Sequence, residues 1–216
     1  MTMRQVCNVK MRVYICGIKA FLTLDGLNLV TCARKERIHA YRQAEDKARC
    51  LVAGLLLRRI CGVTDDCQLK YVNDKPYLKD GGMYFNISHS GDYVVLAVSG
   101  SEVGVDIEKV SPYFREAADL CFTPRERERL KQEGCDETFY RLWTAKEAVM
   151  KGSGLGFSLL PETFCVLPLD SSAHRIDGRI WFLDWLFHDG HIICGAVENM
   201  AEKIELMTIS ADDCLH

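Results

Sequence analysis

The sequence lacks an excess of either charge. Among its 216 residues it has 27 lysines and arginines against 30 aspartates and glutamates, a formal net charge of −3. A chain that attracts nucleic acid through its overall field is strongly basic, so nucleic acid is not an expected partner and any basic patch must be local. With 48% hydrophobic residues, the chain can bury a core as one large domain or as two small halves.

Long apolar runs are also absent. No run reaches the length that crosses a bilayer, and Lys10, Arg12 and Lys19 interrupt the apolar stretch near the beginning of the sequence. We therefore expect neither a membrane span nor a signal peptide. The segment VYICGI, residues 13–18, instead predicts a first strand.

The sequence has many cysteines but no cysteine framework. There are 11 of them, irregularly spaced and without a Cys-x-x-Cys pair, which fits neither a disulfide scaffold nor a zinc site. Cys50 and Cys194 lie in apolar stretches, where a free thiol behaves as a small hydrophobic group. This usage predicts a protein of the reducing cytoplasm.

The first part of the chain predicts one long helix followed by strands. Apolar residues at helical spacing run through the segment from Arg34 to Ile60, which ends before Gly62. The residues that form this stripe are Ile38, Tyr41, Ala48, Val52 and Leu55. Strands are then predicted at LKYV (69–72), MYFNIS (83–88) and YVVLAVS (93–99), with NDKPYL (73–78) and HSGD (89–92) as turns.

The second part predicts a strand, two helices and more strands. EVGVDIEKV, residues 102–110, is typical of a strand, and Thr123, Pro124 and Glu126 form the signature of a capping box for a helix to about Gln132. A further helix is predicted over 138–152, with Gly152 as its stop. The remaining strands are predicted at 164–169, 179–187, 191–197 and 203–209. No repeat between the two parts is visible, and the class is α+β.

Two acids on one strand are the first chemical signal. Alternate residues of a strand face the same side, so Asp106 and Glu108 project together, about 7 Å apart at their backbones, while Val105 and Ile107 face the core. Two neighbouring carboxylates repel unless a cation, a base or solvent lies between them. A solvated edge strand with outward acids would have the same pattern.

Two further clusters each allow two interpretations. Glu147 and Lys151 lie one helical turn apart, which suits a site or a surface ion pair. Ser88 and His89 suit a tight turn or hydrogen bonds to an anion. The basic residues Lys75, Arg34 and Arg37 are cationic donors or a solvated face. Together these are the parts for Mg²⁺-assisted chemistry on a phosphorylated substrate.

Three motifs in a fixed order identify a family resemblance. The motifs are FNISHSG (85–91), GVDIEK (104–109) and W-x-x-K-E-A-x-x-K-G-x-G-x-G (143–156). In this order and spacing they resemble the 4'-phosphopantetheinyl transferase superfamily, in particular its Sfp-type (surfactin-synthetase-activating) branch. The resemblance covers roughly Arg34 to Leu160.

The resemblance implies a reaction and an architecture. The reaction is transfer of the phosphopantetheine arm of coenzyme A, the co-substrate, to a serine of an apo acyl or peptidyl carrier protein, releasing adenosine 3',5'-bisphosphate. The implied fold has two similar α/β halves related by a pseudo-twofold axis, 1–101 and 102–216, with the site between them. A pseudodimer of this kind implies a monomer, and the boundary is expected near Ser101.

The resemblance also assigns roles to residues. Asp106, Glu108 and Glu147 match the acids that bind Mg²⁺, with Mn²⁺ left open, and Glu147 is also the candidate base for the carrier serine. Lys151 matches a lysine that contacts the phosphate and assists the leaving oxygen, whereas Lys146 receives no chemical role. The residues that match coenzyme A contacts are Arg34, Arg37, Lys75, Pro76, Ser88 and His89.

Two departures weaken the adenosine side of this match. Asp74 stands where a glycine often precedes Lys-Pro, and Cys50 stands where a threonine can contact the coenzyme. Carrier docking is expected through apolar residues between Phe114 and Phe122 and near Leu130, although Phe122 itself is expected in the core.

Two other functions stay open on the sequence alone. One is a noncatalytic module that binds coenzyme A or a carrier, and the other is a Mg²⁺-dependent hydrolase of a nucleotide pyrophosphate. Nothing in the residues selects a fatty-acid, polyketide or nonribosomal peptide pathway.

Overall fold

Two four-stranded sheets and one hairpin organise the described residues of the computed structural model, which are 11–170, 172–199 and 204–216. The strands are β1 (Arg12–Gly17), β2 (Leu69–Val72), β3 (Lys75–Leu78), β4 (Tyr84–Ser90), β5 (Tyr93–Ser99), β6 (Val103–Lys109), β7 (Ala173–Ile176), β8 (Arg179–His188), β9 (His191–Glu198) and β10 (Glu205–Thr208). The helices are α1 (Cys32–Ala40), α2 (Ala44–Cys61), α3 (Arg115–Cys121), α4 (Pro124–Glu133), α5 (Asp136–Ser153) and α6 (Ala211–Leu215).

The two halves share the order of three of their strands, β1-β5-β4 in the first half and β6-β9-β8 in the second. The first sheet has the order β10-β1-β5-β4 and the second has the order β6-β9-β8-β7. In each, the opening strand pairs antiparallel with the last strand of its half, which pairs antiparallel with the strand before it. A long helix, α2 or α5, lies between the opening strand and the others in chain order. The predicted α+β fold in two halves is confirmed. The halves resemble each other in the order and pairing of their strands, although no repeat is visible in the sequence.

The end of the chain returns to the first half. Strand β10 pairs in parallel with β1, and Cys214 of α6 is buried in the core cluster that surrounds α2. The predicted second half, 102–216, therefore contributes its last strand and helix to the first sheet's layer. Residues 1–10 of the predicted first half, and Lys203 of the predicted last strand, lie outside the described residues.

A shared core joins the halves. Val13 and Val95 of the first sheet pack in one buried cluster with Val105, Ile107 and Ile193 of the second. Val105 and Ile107 are fully buried, as the alternation in GVDIEK predicts. Their neighbours Asp106 and Glu108 face the opposite side of β6.

None of the described helices is long and apolar enough to cross a membrane.

The predicted helix from Arg34 to Ile60 is wrong as a single element. It is broken after Ala40, and Tyr41 adopts an extended conformation and is 39% exposed. A straight 27-residue helix would be about 40 Å long and would carry Ile38 away from α2. Because α1 folds back, Ile38 is fully buried in the core around α2.

The segment NDKPYL is only partly a turn. Asn73 and Asp74 have positive φ angles of 48° and 64° and make the turn, while the residues that follow form β3 and pair with β2. Asn and Asp tolerate this left-handed conformation better than other side chains.

Residues 164–169 form no strand. The carbonyls of Pro161 and Phe164 accept from Lys146 Nζ at 2.7 and 2.5 Å, and Val166 N donates to Glu126 Oε1 at 2.8 Å. Buried backbone groups need partners, and here two charged side chains supply them in place of a neighbouring strand. Strand β7 and helices α3 and α6 were not predicted.

Helix α5 extends beyond the predicted stop. It ends at Ser153 and is capped by Gly154, whose φ is 70°, so Gly152 lies inside it. A Cβ at Gly152 would lie 2.8 Å from the Trp181 ring, and a Cβ at Gly104 would lie 1.8 Å from the Ala148 carbonyl oxygen. These two glycines let α5 rest directly on the backbone of β6.

Candidate active site

Side-chain hydrogen bonds join the two sheets where β4 runs beside β6. Asn86 Oδ1 accepts from Val105 N at 3.0 Å, Ser88 Oγ donates to Asp106 Oδ1 at 2.8 Å, and Ser90 Oγ donates to Glu108 Oε2 at 2.9 Å. Alternation along β4 puts these three polar residues on one face. The serines of FNISHSG therefore contact the acids of GVDIEK across the junction of the halves.

Helix α5 adds a lysine and a third acid to this junction. Lys151 Nζ lies 2.6 Å from Asp106 Oδ1 and 3.1 Å from Ser88 Oγ. The nearest Glu147 oxygen lies 3.9 Å from the same nitrogen. We call Ser88, Asp106, Glu108, Glu147 and Lys151 the acid–lysine cluster. The structure thus brings together residues that the sequence places on three separate elements.

The acids of this cluster have perturbed pKa values. Burial raises the pKa of Asp106, although Lys151 and Ser88 offset part of the effect. Burial also raises the pKa of Glu108 and of Glu147, and the charge of Asp106 raises both further. Three desolvated carboxylates facing one ammonium group leave the cluster short of positive charge. Such a site favours a cation or a proton.

The donor set fits a hard cation, although it is not assembled as a metal centre. Asp106 Oδ2 is buried and has no hydrogen-bond partner among the described residues, and carboxylate oxygens are the ligands that Mg²⁺ prefers. Within 11–170, 172–199 and 204–216, however, no group of three or more His, Cys, Asp or Glu side chains is arranged to hold a metal. Lys151 lies between Asp106 and Glu147 instead.

His89 follows Ser88 on β4, and its side chain is exposed. Desolvation by the surrounding protein lowers the pKa of His89, and the charges of Arg49 and Lys151 lower it further. Arg49 was missed in the sequence. Its guanidinium donates to the Gly91 carbonyl at 2.7 Å and pairs with Asp46 at 2.7 Å. The only available signal was that it precedes Cys50, a position that the resemblance places near the coenzyme.

The two predicted arginines lie elsewhere. Arg34 and Arg37, on α1, line a cavity of about 280 Å³ together with Gly54, Leu57 and Tyr71. None of the residues of the acid–lysine cluster lines this cavity. Arg34 Nη1 lies 3.8 Å from Cys50 Sγ, so the arginine and the cysteine that departs from the family pattern are neighbours.

The sequence predicts that Lys75 contacts coenzyme A, whereas in the structure Lys75 is buried within the protein. Its Nζ donates to Glu102 Oε2 at 2.6 Å, to the Gly152 carbonyl at 2.6 Å and to the Val103 carbonyl at 3.3 Å. An ammonium group has three donors, and all three are used within the protein. The structure therefore does not favour a side-chain contact between Lys75 and coenzyme A. Pro76 is half-buried beside it in β3.

Lys146, to which the sequence assigns no chemical role, makes its contacts within the protein. It is fully buried and pairs with Glu126 at 2.8 Å. Glu126 also completes the predicted capping box at Thr123. The pair holds α4 and residues 161–166 against α5, the helix that carries Glu147.

Comparisons with known proteins agree along most of the chain. Residues 102–200 match the family described as 4'-phosphopantetheinyl transferase superfamily, and residues 23–101 match 4'-phosphopantetheinyl transferase, N-terminal. A 4'-phosphopantetheinyl transferase of Bacillus subtilis is 33% identical over 177 residues, 76% of this chain and 74% of that protein. The Sfp transferase of B. subtilis strain 168 is 31% identical over 71% of this chain and 70% of its own.

A mammalian protein is also similar. The mouse L-aminoadipate-semialdehyde dehydrogenase-phosphopantetheinyl transferase is 35% identical over 168 residues. The match covers 66% of this chain and 54% of the mouse protein.

Proposed function

The chain belongs to the 4'-phosphopantetheinyl transferase superfamily, and we propose that it transfers the phosphopantetheine arm of coenzyme A to a serine of an apo carrier protein. The observation that supports this most is the acid–lysine cluster, in which Lys151 contacts Asp106 at 2.6 Å beside two further desolvated acids. A pyrophosphate brings the negative charge that a lysine binds and a cation offsets.

Glu147 and Lys151 of the cluster each have a step in the proposed reaction. The serine oxygen of the carrier forms a bond to the phosphorus that carries the pantetheine arm, and the bond from this phosphorus to the adenosine 3',5'-bisphosphate oxygen breaks. Glu147 accepts the serine proton, directly or through one water, because it is the acid that helix α5 presents beside Lys151 at the junction of the halves. Lys151 donates to the phosphate oxygens and stabilises charge on the leaving oxygen.

We propose Asp106, Glu108 and Glu147 as the residues that hold Mg²⁺. The unpartnered, buried Oδ2 of Asp106 supports this assignment. When bound, the ion would supply charge neutralisation for the pyrophosphate oxygens. Ser88 and Ser90 orient two of these acids, because each donates to one of them.

The coenzyme contacts are proposed on the first half. Ser88 and His89 contact the phosphates of the coenzyme in this proposal, and Arg49, which donates to the Gly91 carbonyl, is a further donor. Arg34 and Arg37 supply positive charge in their cavity. Pro76 is also proposed as a coenzyme A contact, as the family resemblance implies. A domain boundary near Ser101 is supported by the two family matches, which meet between residues 101 and 102.

The carrier is proposed to dock on the second half. Phe114 and Leu120 are 80% and 74% exposed, whereas Phe122 is fully buried as expected for core packing. A cavity of about 420 Å³ lies nearby, and Arg115, Arg127 and Lys131 line it. Exposed apolar side chains beside cations suit a helical partner with acidic residues. We also propose that the protein acts as a cytoplasmic monomer.

Intact-mass spectrometry of an apo carrier tests this function. The carrier is incubated with the protein, coenzyme A and Mg²⁺, with a chelator and a carrier whose acceptor serine is alanine as controls. We expect a gain of one phosphopantetheine that disappears in both controls. Cleavage of coenzyme A without any gain on fatty-acid, polyketide or peptide carriers would indicate a hydrolase, and intact bound coenzyme A would indicate a noncatalytic module.

A further inference from the structure

Lys75 joins three segments of the chain. It extends from β3 in the first half, and its Nζ contacts Glu102 and the Val103 carbonyl at the beginning of β6 and the Gly152 carbonyl in the last turn of α5. The residue is 6% exposed. A buried lysine without partners is costly, so this set of acceptors fixes the ammonium group in one place.

The Gly152 carbonyl belongs to the peptide that follows Lys151. Gly152 packs on Trp181, and Gly104 of β6 packs on the Ala148 carbonyl and the Gly152 backbone, so no side chain fills the space between helix and strand here. The orientation of this turn decides where the Lys151 ammonium lies relative to Asp106, 2.6 Å away. A hydrogen bond to the Gly152 carbonyl therefore acts on the residue that contacts the acids.

We propose that Lys75 is a positioning residue, which holds the last turn of α5 through the Gly152 carbonyl so that Lys151 reaches Asp106 and Ser88. This inference rests on the proposed function, because it concerns Lys151 of that site. It also replaces the ligand contact that the sequence suggests for Lys75. A residue of the first half thereby sets the geometry of a charged group in the second.

A double-mutant cycle tests the connection. Lys75→Met retains the stem and removes the ammonium group, and we expect kcat to fall about tenfold because small misplacements of reacting groups are expensive. In the Lys151→Ala background the same change should alter kcat by less than about twofold, since residues that act through one another are not additive. The dissociation constant for coenzyme A, measured by titration calorimetry, should stay within about twofold of the unmodified protein's value.

The contrary results are distinct. A weaker coenzyme affinity with unchanged kcat would make Lys75 a ligand contact. An equal fall in kcat in both backgrounds would show that Lys75 does not act through Lys151. Lys75→Gln keeps a donor and serves as the second variant if Lys75→Met does not fold. Glu102→Gln is the matched control, because it keeps an acceptor for Lys75 and should leave kcat within about twofold of normal.

Hydrogen exchange provides a readout that does not depend on activity. Loss of the bond to Gly152 should speed amide exchange in a peptide covering residues 150–155, because local opening becomes easier. Glu102→Gln should leave this peptide unchanged. If the unmodified protein transfers nothing to any carrier, the proposed function fails, and exchange still decides whether Lys75 holds the turn. Unchanged exchange in Lys75→Met would overturn the proposal.

Discussion

Helices α2 and α5 have the same length and corresponding places in the two halves, but only α5 buries charge. Each has 18 residues and is followed by a left-handed capping glycine, Gly62 or Gly154. Every buried residue of α2 is apolar or small, from Ala48 to Leu57. Helix α5 buries Lys146 and exposes only part of Glu147 and Lys151.

This difference separates structure from chemistry. Burial of apolar side chains stabilises a helix on its sheet, whereas burial of charges requires compensation. On α5 the compensation comes from Glu126 for Lys146, and from Asp106 for Lys151. The same arrangement of a long helix on a sheet therefore provides only core packing in the first half, and it also presents the reactive groups in the second. Four substitutions on α5, each compared with a substitution elsewhere in the chain, test this difference.

The largest effect is expected from Lys146→Met. Removing the lysine leaves Glu126 buried and unpaired, which should lower the free energy of unfolding by about 3 to 5 kcal/mol. The corresponding change in α2, Leu55→Ala, should lower it by about 2 to 5 kcal/mol through a cavity. Urea unfolding separates the causes, because adding Glu126→Gln should restore part of the stability of Lys146→Met. If Glu126→Gln restores no stability, the loss in Lys146→Met does not come from an unpaired Glu126 charge.

Among the substitutions on α5, Lys151→Met should have the largest effect on activity. We expect kcat to fall about 100-fold with a smaller change in the KM for coenzyme A, because Lys151 stabilises the charge that develops during transfer. The matched control is Lys47→Met on α2, which should be nearly as active as the unmodified protein. Steady-state kinetics with a carrier protein checks both. A normal kcat with a raised KM would make Lys151 a binding residue.

The two helix glycines should differ in their tolerance of alanine. At Gly152 a Cβ meets the rigid Trp181 ring and the Gly104 backbone, so Gly152→Ala should destabilise the protein by about 1 to 3 kcal/mol. At Gly54 the Cβ meets side-chain atoms of Val30 and Arg34, which can move, and the higher helix propensity of alanine offsets about 1 kcal/mol. Thermal unfolding compares them. Equal losses would contradict the close helix–strand contact.

The smallest expected effect is a pH dependence at Glu147. Its raised pKa means that the native state binds the proton more tightly than the unfolded chain. The ionised carboxylate therefore lowers stability above the native pKa, and this loss fades as the pH falls through the native pKa toward the ordinary value for glutamate. Glu147→Gln should be more stable than the unmodified protein near neutral pH, and the difference should shrink on acidification.

Urea unfolding from neutral to mildly acidic pH, with a chelator present to keep cations away, measures this difference. A difference that grows as the pH falls would have the wrong sign for a raised pKa. Asp212→Asn, which replaces an exposed acid on α6, is the control and is measured over the same pH range.

Local patterns predicted the parts of the site that lie within one element. The alternation around Asp106 and the capping box at Thr123 are short-range, and both are confirmed. The contact of Ser88 with Asp106 joins two sheets, and the contact of Lys75 with Gly152 spans 77 positions in the sequence. Local periodicity carries no information on such contacts. The fold class was predictable, whereas the break after Ala40 and the return of β10 to β1 depend on tertiary packing.

The most direct test of the account is intact-mass spectrometry of an apo carrier incubated with coenzyme A and Mg²⁺ and with either the unmodified protein or Asp106→Asn. The account predicts complete conversion of the carrier by the unmodified protein and at least about a 100-fold slower gain with the variant. Asp106→Asn should unfold at the same or a higher urea concentration, because it removes a desolvated charge. A folded variant that modifies the carrier at a normal rate would contradict the central assignment of the acids on β6.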